Sequence, residues 1–285
     1  MRDEIVDVLS WAAVFDHALN SSDVRRYLTK ECSLDEVESV LTSINQVERT
    51  GGRWHISGSG YDPSKFGKMS NSATSQLNAG LPIISKLCES DQVLALAITG
   101  SVASGSSPDK ADVDILIITR PNYVWRVRAL AIFLEHNSPG SSIICPNMVL
   151  DYRYLTLRPS TYAARELAMM RPVKGRDVFE KMLSENPWFK KTLPNAALSP
   201  SIELPEAKGE FPSWWRAMRI PIIGKIIERW EAGRRISQCS KDSTSTESVY
   251  EMYRCIGHES DHRTRIEERM AEITREVTMV ESEVQ

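Results

Sequence analysis

The stretch TGSVASGSSPDKADVDILIIT, residues 99–119, carries the pattern from which the rest of the chain is read. QVLALAITG (92–100) is an apolar, β-rich run stopped by Gly100, and ADVDILIIT (111–119) is a second, so two buried strands are predicted with a polar loop between them. Side chains at i and i+2 of a strand share a face, which sets Asp112 beside Asp114 while Val113 and Ile115 turn into the core. Two adjacent carboxylates repel, and the pair is costly unless a cation sits between them. Oxygen ligands on a rigid strand suit Mg²⁺ or Mn²⁺. Gly100 and Ser101 supply a turn where backbone N–H groups and a hydroxyl can approach phosphate oxygens, and Ser104 and Gly105 add small donors without bulk. A phosphate cradle facing a divalent-metal pair is the equipment for nucleotidyl transfer by in-line displacement.

Working outward, YVWRVRALAIFLEH after the second strand returns to helical period, and SIICPNMVLDYRYLTL (142–157) is a third strand candidate, kinked at Pro146. Helix, strand, loop, strand, helix, strand is an α/β (α+β) organisation. On the N-terminal side, Ile5, Val8, Leu9, Ala12 and Phe15 form one helical stripe. NSSDVRRYL opens a second helix with Ser21 or Ser22 as N-cap, and Ser33 with Glu36 makes a capping box for a third. QVERTGGRWHISG then predicts a hairpin turning at Gly51-Gly52. Three helices and a hairpin is the order of a winged helix. The expected division is a winged helix at 1–60, a connector helix at 61–90, a nucleotidyltransferase domain at 91–192 and a mostly helical region at 193–285. From about residue 160 onward the chain reads as mostly helical: TYAARELAMMRPV is expected as one helix ended by Pro172, and Pro194, Pro200, Pro205 and Pro212 mark a loop or linker.

The third helix starts on Asp35, Glu36 and Glu38, anions that weaken any grip on phosphates, against which Arg25, Arg26, Arg49 and Arg53 are the compensating cations. The N-terminal module is thus open to either a nucleic-acid contact or a packing and protein-interaction role. The whole chain of 285 residues carries a net charge of −3, which excludes a global electrostatic hold on nucleic acid. Cys32, Cys88, Cys145, Cys239 and Cys255 are scattered with no CxxC pair, which fits a reduced cytoplasmic protein rather than a disulfide or zinc framework. The N-terminus carries acids inside its apolar pattern, unlike a signal peptide, and the longest apolar stretch, Ile220 to Ile227, is interrupted by Pro221, Gly224 and Lys225. No membrane partner is expected.

The pattern Ile98-Thr99-Gly100-Ser101, a spacer, then Asp112-Val113-Asp114-Ile115 resembles the signature of the DNA-polymerase-β-like nucleotidyltransferases. With AAVFDHALNSSDVRRYL before it and CPNMVLD and YAARELAMMRPV after it, the chain is similar, over about residues 5–175, to prokaryotic nucleotidyltransferase-domain proteins that carry an N-terminal winged helix. The resemblance implies that Gly100 and Ser101 contact a nucleoside triphosphate such as ATP and that Asp112 and Asp114 hold the metals. It also implies a third carboxylate on a later strand that helps activate the attacking hydroxyl. Asp151, at the end of PNMVLDYRY, and Asn147, nearer its middle, are the two candidates for that place; an asparagine there would put a neutral amide where a base and metal ligand belongs.

Lesser signals stand beside these. HESDH, His258 to His262, spells a zinc-protease motif, but Gly257 before it, Asp261 inside it and Arg263 after it suit a polar helix start better. Trp214 and Trp215 beside Arg216 and Arg219 could stack bases, although aromatics at this spacing mostly pack a core. Arg165 and Glu166 are candidates to face the cleft, with Arg165 either touching phosphate or acceptor or making a structural ion pair. The function expected is Mg²⁺-dependent transfer of a nucleoside monophosphate to RNA, protein or a small molecule with release of pyrophosphate. The competing expectation is a non-catalytic, nucleotide-sensing winged-helix regulator.

Overall fold

The computed structural model describes residues 1–138, 143–242, 248–257 and 266–275. The chain opens with α1 (Arg2–Val14), α2 (Ser21–Arg26) and α3 (Leu34–Ser43), then the hairpin β1 (Val47–Thr50) and β2 (Arg53–Ile56). Each start has a local cause. The side chain of Asn20, rather than of Ser21 or Ser22, accepts the Asp23 N–H at 2.8 Å to cap α2. Ser33 and Glu36 close the reciprocal capping box of α3. Gly51 and Gly52 both take positive φ, the geometry of a two-residue hairpin turn.

The long α4 (Pro63–Cys88) leads into β3 (Val93–Ile98), short α5 (Gly100–Ser104), β4 (Val113–Thr119), α6 (Val124–His136) and β5 (Ile144–Asp151). There follow α7 (Thr161–Met169), β6 (Arg171–Lys174), α8 (Arg176–Glu185), α9 (Trp188–Thr192), α10 (Ser213–Met218), α11 (Pro221–Asp242), β7 (Val249–Glu251), β8 (Arg254–Ile256) and a helix at 266–275. The protein is thus a mixed α/β structure with one six-stranded sheet in the order β6-β3-β4-β5-β8-β7, and the hairpin stands apart. Only β4 and β5 run parallel; the other pairs are antiparallel.

Three strands lie in the region expected to be mostly helical. The helix expected to run to Pro172 ends at Met169, and Arg171–Lys174 pairs with β3. Proline is tolerated in β6 because this is an edge strand, where no ladder N–H is required of it. β7 and β8 are three residues each, too short for alternation to be seen before the sheet edge that they extend is known. The third strand stops at Asp151, and the polar loop expected between the first two strands opens with the helical turn α5, ended by Gly105 in the left-handed conformation.

Alternation along β4 sorts two cores. Val113, Ile115 and Ile117 face one cluster with Ile84 and Leu87 of α4 and Leu130 of α6, all essentially buried. Leu116 and Ile118 face the other, which runs without a break through Ile5, Leu9 and Trp11 of α1, Leu41 of α3, Ala164 of α7 and Phe179 of α8. The N-terminal helices are therefore the cover of one sheet face, the face toward which Asp112 and Asp114 also point. Trp214 and Trp215 belong to the opposite cluster, where Trp214 stands edge to face with both Trp215 and Phe133. Among the described residues no helix is long and apolar enough to cross a membrane.

Candidate active site

β3 passes into α5 through Thr99 and Gly100, and Gly100 takes φ +66°. Its α-carbon lies so close to Asp114 that a Cβ there would stand 2.3 Å from Asp114 Oδ2, closer than any side chain can approach. Glycine is required on two counts, conformation and space. The Thr99 N–H donates to the Asp114 carbonyl at 2.9 Å, which locks the turn to the head of β4. Ser101 and Ser107 share a hydroxyl hydrogen bond of 3.0 Å, and the Ser104 hydroxyl donates to the Ser101 carbonyl at 2.7 Å.

A cavity of about 660 Å³ opens between this turn and the N-terminal helices. Asp112, Asp114, Gly100, Ser101 and Ser104 line it; Gly105 does not, serving instead to end α5. The register of β4 against β5 sets Cys145 level with Asp114, and Cys145 and Asn147 both line the cavity. Asp151 lies level with Thr119 at the other end of the ladder, outside the cavity and fully buried. Its oxygens accept the Asn122 N–H at 2.7 Å, the Arg153 N–H at 3.0 Å, and Arg153 Nε and Nη2 at 2.9 and 2.8 Å. Burial alone would raise this carboxyl, but Arg153 and these N–H donors together hold it below the usual range. The structure therefore separates Asp151 from the pair with which it was grouped.

The third carboxylate in the cavity comes from a helix. Glu166 of α7, half-buried, accepts the Gly100 N–H and the Tyr162 hydroxyl. Burial and then the neighbouring charge of Asp114 push it up to about 7 against those two hydrogen bonds. The sequence marks Glu166 only by its place on the helix after the third strand; the rotation of α7 that aims it at Gly100 is set by packing. Arg165, one residue earlier, points the other way, donating to Asp7 at 2.7 Å with its guanidinium 4.9 Å from the Trp11 ring. It is the structural ion pair.

The opposite wall belongs to the N-terminal module: Trp11 and Phe15 of α1, His17, and Asp23, Arg26 and Tyr27 around α2. That wall is fixed, because Arg26 Nε and Nη2 donate to the Ala168 carbonyl at 3.1 and 2.7 Å and Nη2 reaches Ser199 at 3.0 Å. Burial, then the charge of Arg53, pushes His17 down to about 4, leaving it neutral at physiological pH. Trp11 Nε1, His17 Nδ1 and Ser106 Oγ are buried without a protein partner, and all three residues line the cavity. Arg171 of β6 lines it too, a cation with no protein partner among the described residues.

Among the described residues no set of three or more His, Cys, Asp or Glu closes on a point as a metal site. Mg²⁺ does not need one, since it commonly takes one or two carboxylates and completes its shell with water and substrate phosphates. Asp114 of β4, with Asp112 just before the strand, fits that use. The HESDH motif lies outside the described residues. Compared with known proteins, the chain matches no family model, no curated protein and no solved structure.

Proposed function

We propose that the protein is a nucleotidyltransferase of the DNA-polymerase-β-like kind, with a winged-helix-like module at its N-terminus, which moves a nucleoside monophosphate from an NTP to a small acceptor. The observation that carries this is the meeting of Asp114 and Glu166 at the Gly100 turn inside a cavity of about 660 Å³ that Asp112 also lines. Asp112 and Asp114 would hold Mg²⁺, which when bound supplies charge neutralisation for the phosphates. Ser101 and Ser104 would border the phosphates, and Arg171, whose side chain has no partner among the described residues, would be a cation for them. Glu166, poised near neutrality, takes the proton of the acceptor hydroxyl once deprotonated.

The small acceptor is favoured by the wall opposite. A volume of this size, walled on one side by α1 and α2, suits a compact molecule better than a polymer strand. The acidic face of α3 also stays exposed at Asp35, Glu36 and Glu38, in keeping with a module that walls the site rather than gripping nucleic acid.

A second reading rests on Asn147. An amide lines the cavity where the later strand would bring a carboxylate, which favours a protein that binds nucleotide without turnover. Incubation with each α-labelled NTP and Mg²⁺, with RNA or with a panel of small alcohols and amines, separates the two. Label transfer that Asp112→Ala and Asp114→Ala abolish supports the enzyme. Nucleotide binding with no pyrophosphate released under any condition overturns it in favour of the sensor.

A further inference from the structure

Among the described residues, every large apolar side chain that stays exposed falls between Ile220 and Trp230, Leu34 excepted. We infer that the outer face of α11 is a docking surface for an anionic lipid bilayer, on which the helix lies flat in the headgroup region.

The inner face of α11 is fixed to the body of the protein. Glu228 accepts the backbone N–H groups of Trp125 and Arg126 at 2.9 and 3.0 Å and Arg126 Nε at 3.0 Å, so it closes the start of α6. Gly224 lies against Arg126, and Ala232 is buried. With the helix unable to roll, Ile222 (75% exposed), Ile226 (64%) and Trp230 (65%) at successive i+4 steps form an outward stripe, and Ile223 widens it. Lys225 and Arg229, each three residues beyond an isoleucine of the stripe, run along its edge, and neither has a protein partner among the described residues. The two glutamates of the helix are buried on the other side; Glu231 pairs with Arg234 and Arg235.

An apolar stripe with a tryptophan, bordered by lysine and arginine and free of exposed glutamate, matches a negatively charged bilayer surface: acyl chains take the isoleucines and lipid headgroups the cations. A nucleic acid would put the cations at the centre of the contact and gain nothing from the isoleucines. A second copy in two-fold pairing would bring the same patch, with its Lys225 and Arg229, against itself. No spanning segment is implied, and the surface departs from the expectation that no membrane is involved.

The test is sedimentation of the full chain with phosphatidylcholine vesicles with and without phosphatidylserine. Binding is expected only with phosphatidylserine and should weaken as salt rises. Ile222→Ser with Ile226→Ser should lower the partition coefficient at least about tenfold, and Lys225→Glu or Arg229→Glu roughly fivefold or more each. These charge reversals alter exposed positions only, so they test the surface even if the isoleucine variant misfolds. Equal binding to neutral vesicles, no binding to either, preferential binding to RNA at the same salt, or a wild-type dimer that the serine substitutions split would each overturn the assignment.

Discussion

The two ends of the β4–β5 ladder each hold carboxylates, and they use them in opposite ways. At the Asp151 end the fold answers the charge completely: the side chain is fully buried, Arg153 forks onto it, and the Asn122 and Arg153 N–H groups fill what is left. At the Asp114 end carboxylates are gathered with one another. Asp114 sits against Gly100, Asp112 stands two residues earlier on the same face, and Glu166 is close enough that the Asp114 charge helps push it up to about 7. A carboxylate that the protein itself neutralises is part of the scaffold. In the cavity, burial and then the Asp114 charge instead raise Glu166 toward neutrality, a perturbation of the kind that clusters at functional sites.

The sharpest way to break this contrast is to exchange carboxylate for amide at each end. Asp114→Asn should lower NTP-dependent transfer about a thousandfold, the equivalent of several kcal/mol of lost charge stabilisation, with little change in the urea midpoint. Asp151→Asn should do the reverse, costing about 2 kcal/mol of stability as charge-assisted hydrogen bonds are lost, while the folded fraction keeps its turnover. A folded Asp151→Asn protein that has lost transfer would erase the distinction.

Glu166 sharpens it through pH. Its carboxyl keeps the proton to about pH 7 in the folded chain but only to 4.5 in the unfolded one, so across that window the unfolded state ionises first and stability falls as pH rises. Metal-free Glu166→Gln should therefore be more stable than wild type at pH 8, by about 2–3 kcal/mol, and no more stable at pH 4. Thermal melts at the two pH values decide this. The smallest effect belongs to His17, whose folded value of about 4 lies below the ordinary 6.5. Unfolded chains protonate first there, so stability is lost as pH falls from 6.5 toward 4. His17→Gln should flatten that limb by about 1–2 kcal/mol, read from urea titrations across the same range.

Local chemistry made much of this legible. The Ser33–Glu36 box, the Gly51-Gly52 hairpin and the strands around residues 99–119 depend on neighbours a few residues away, and they stand where periodicity and turn residues predict them. β6, β7 and β8 did not show because strands of three or four residues carry too little alternation, and β6 and β8 join the sheet through β3 and β5, far off in sequence. Asp151 misled for a related reason: an acid at a strand end looks alike whether it reaches a cavity or a neighbouring arginine, and here Arg153, two residues on, claims it.

The sequence by itself determined that Asp112 and Asp114 are spaced to share one face and that a glycine turn at position 100 precedes them, since a two-residue period and a missing Cβ are properties of the local chain. Only the tertiary structure decided what meets them there. Glu166 enters the cavity from α7, and α1 and α2 wall it, because strand register and helix rotation follow from packing among residues distant in sequence.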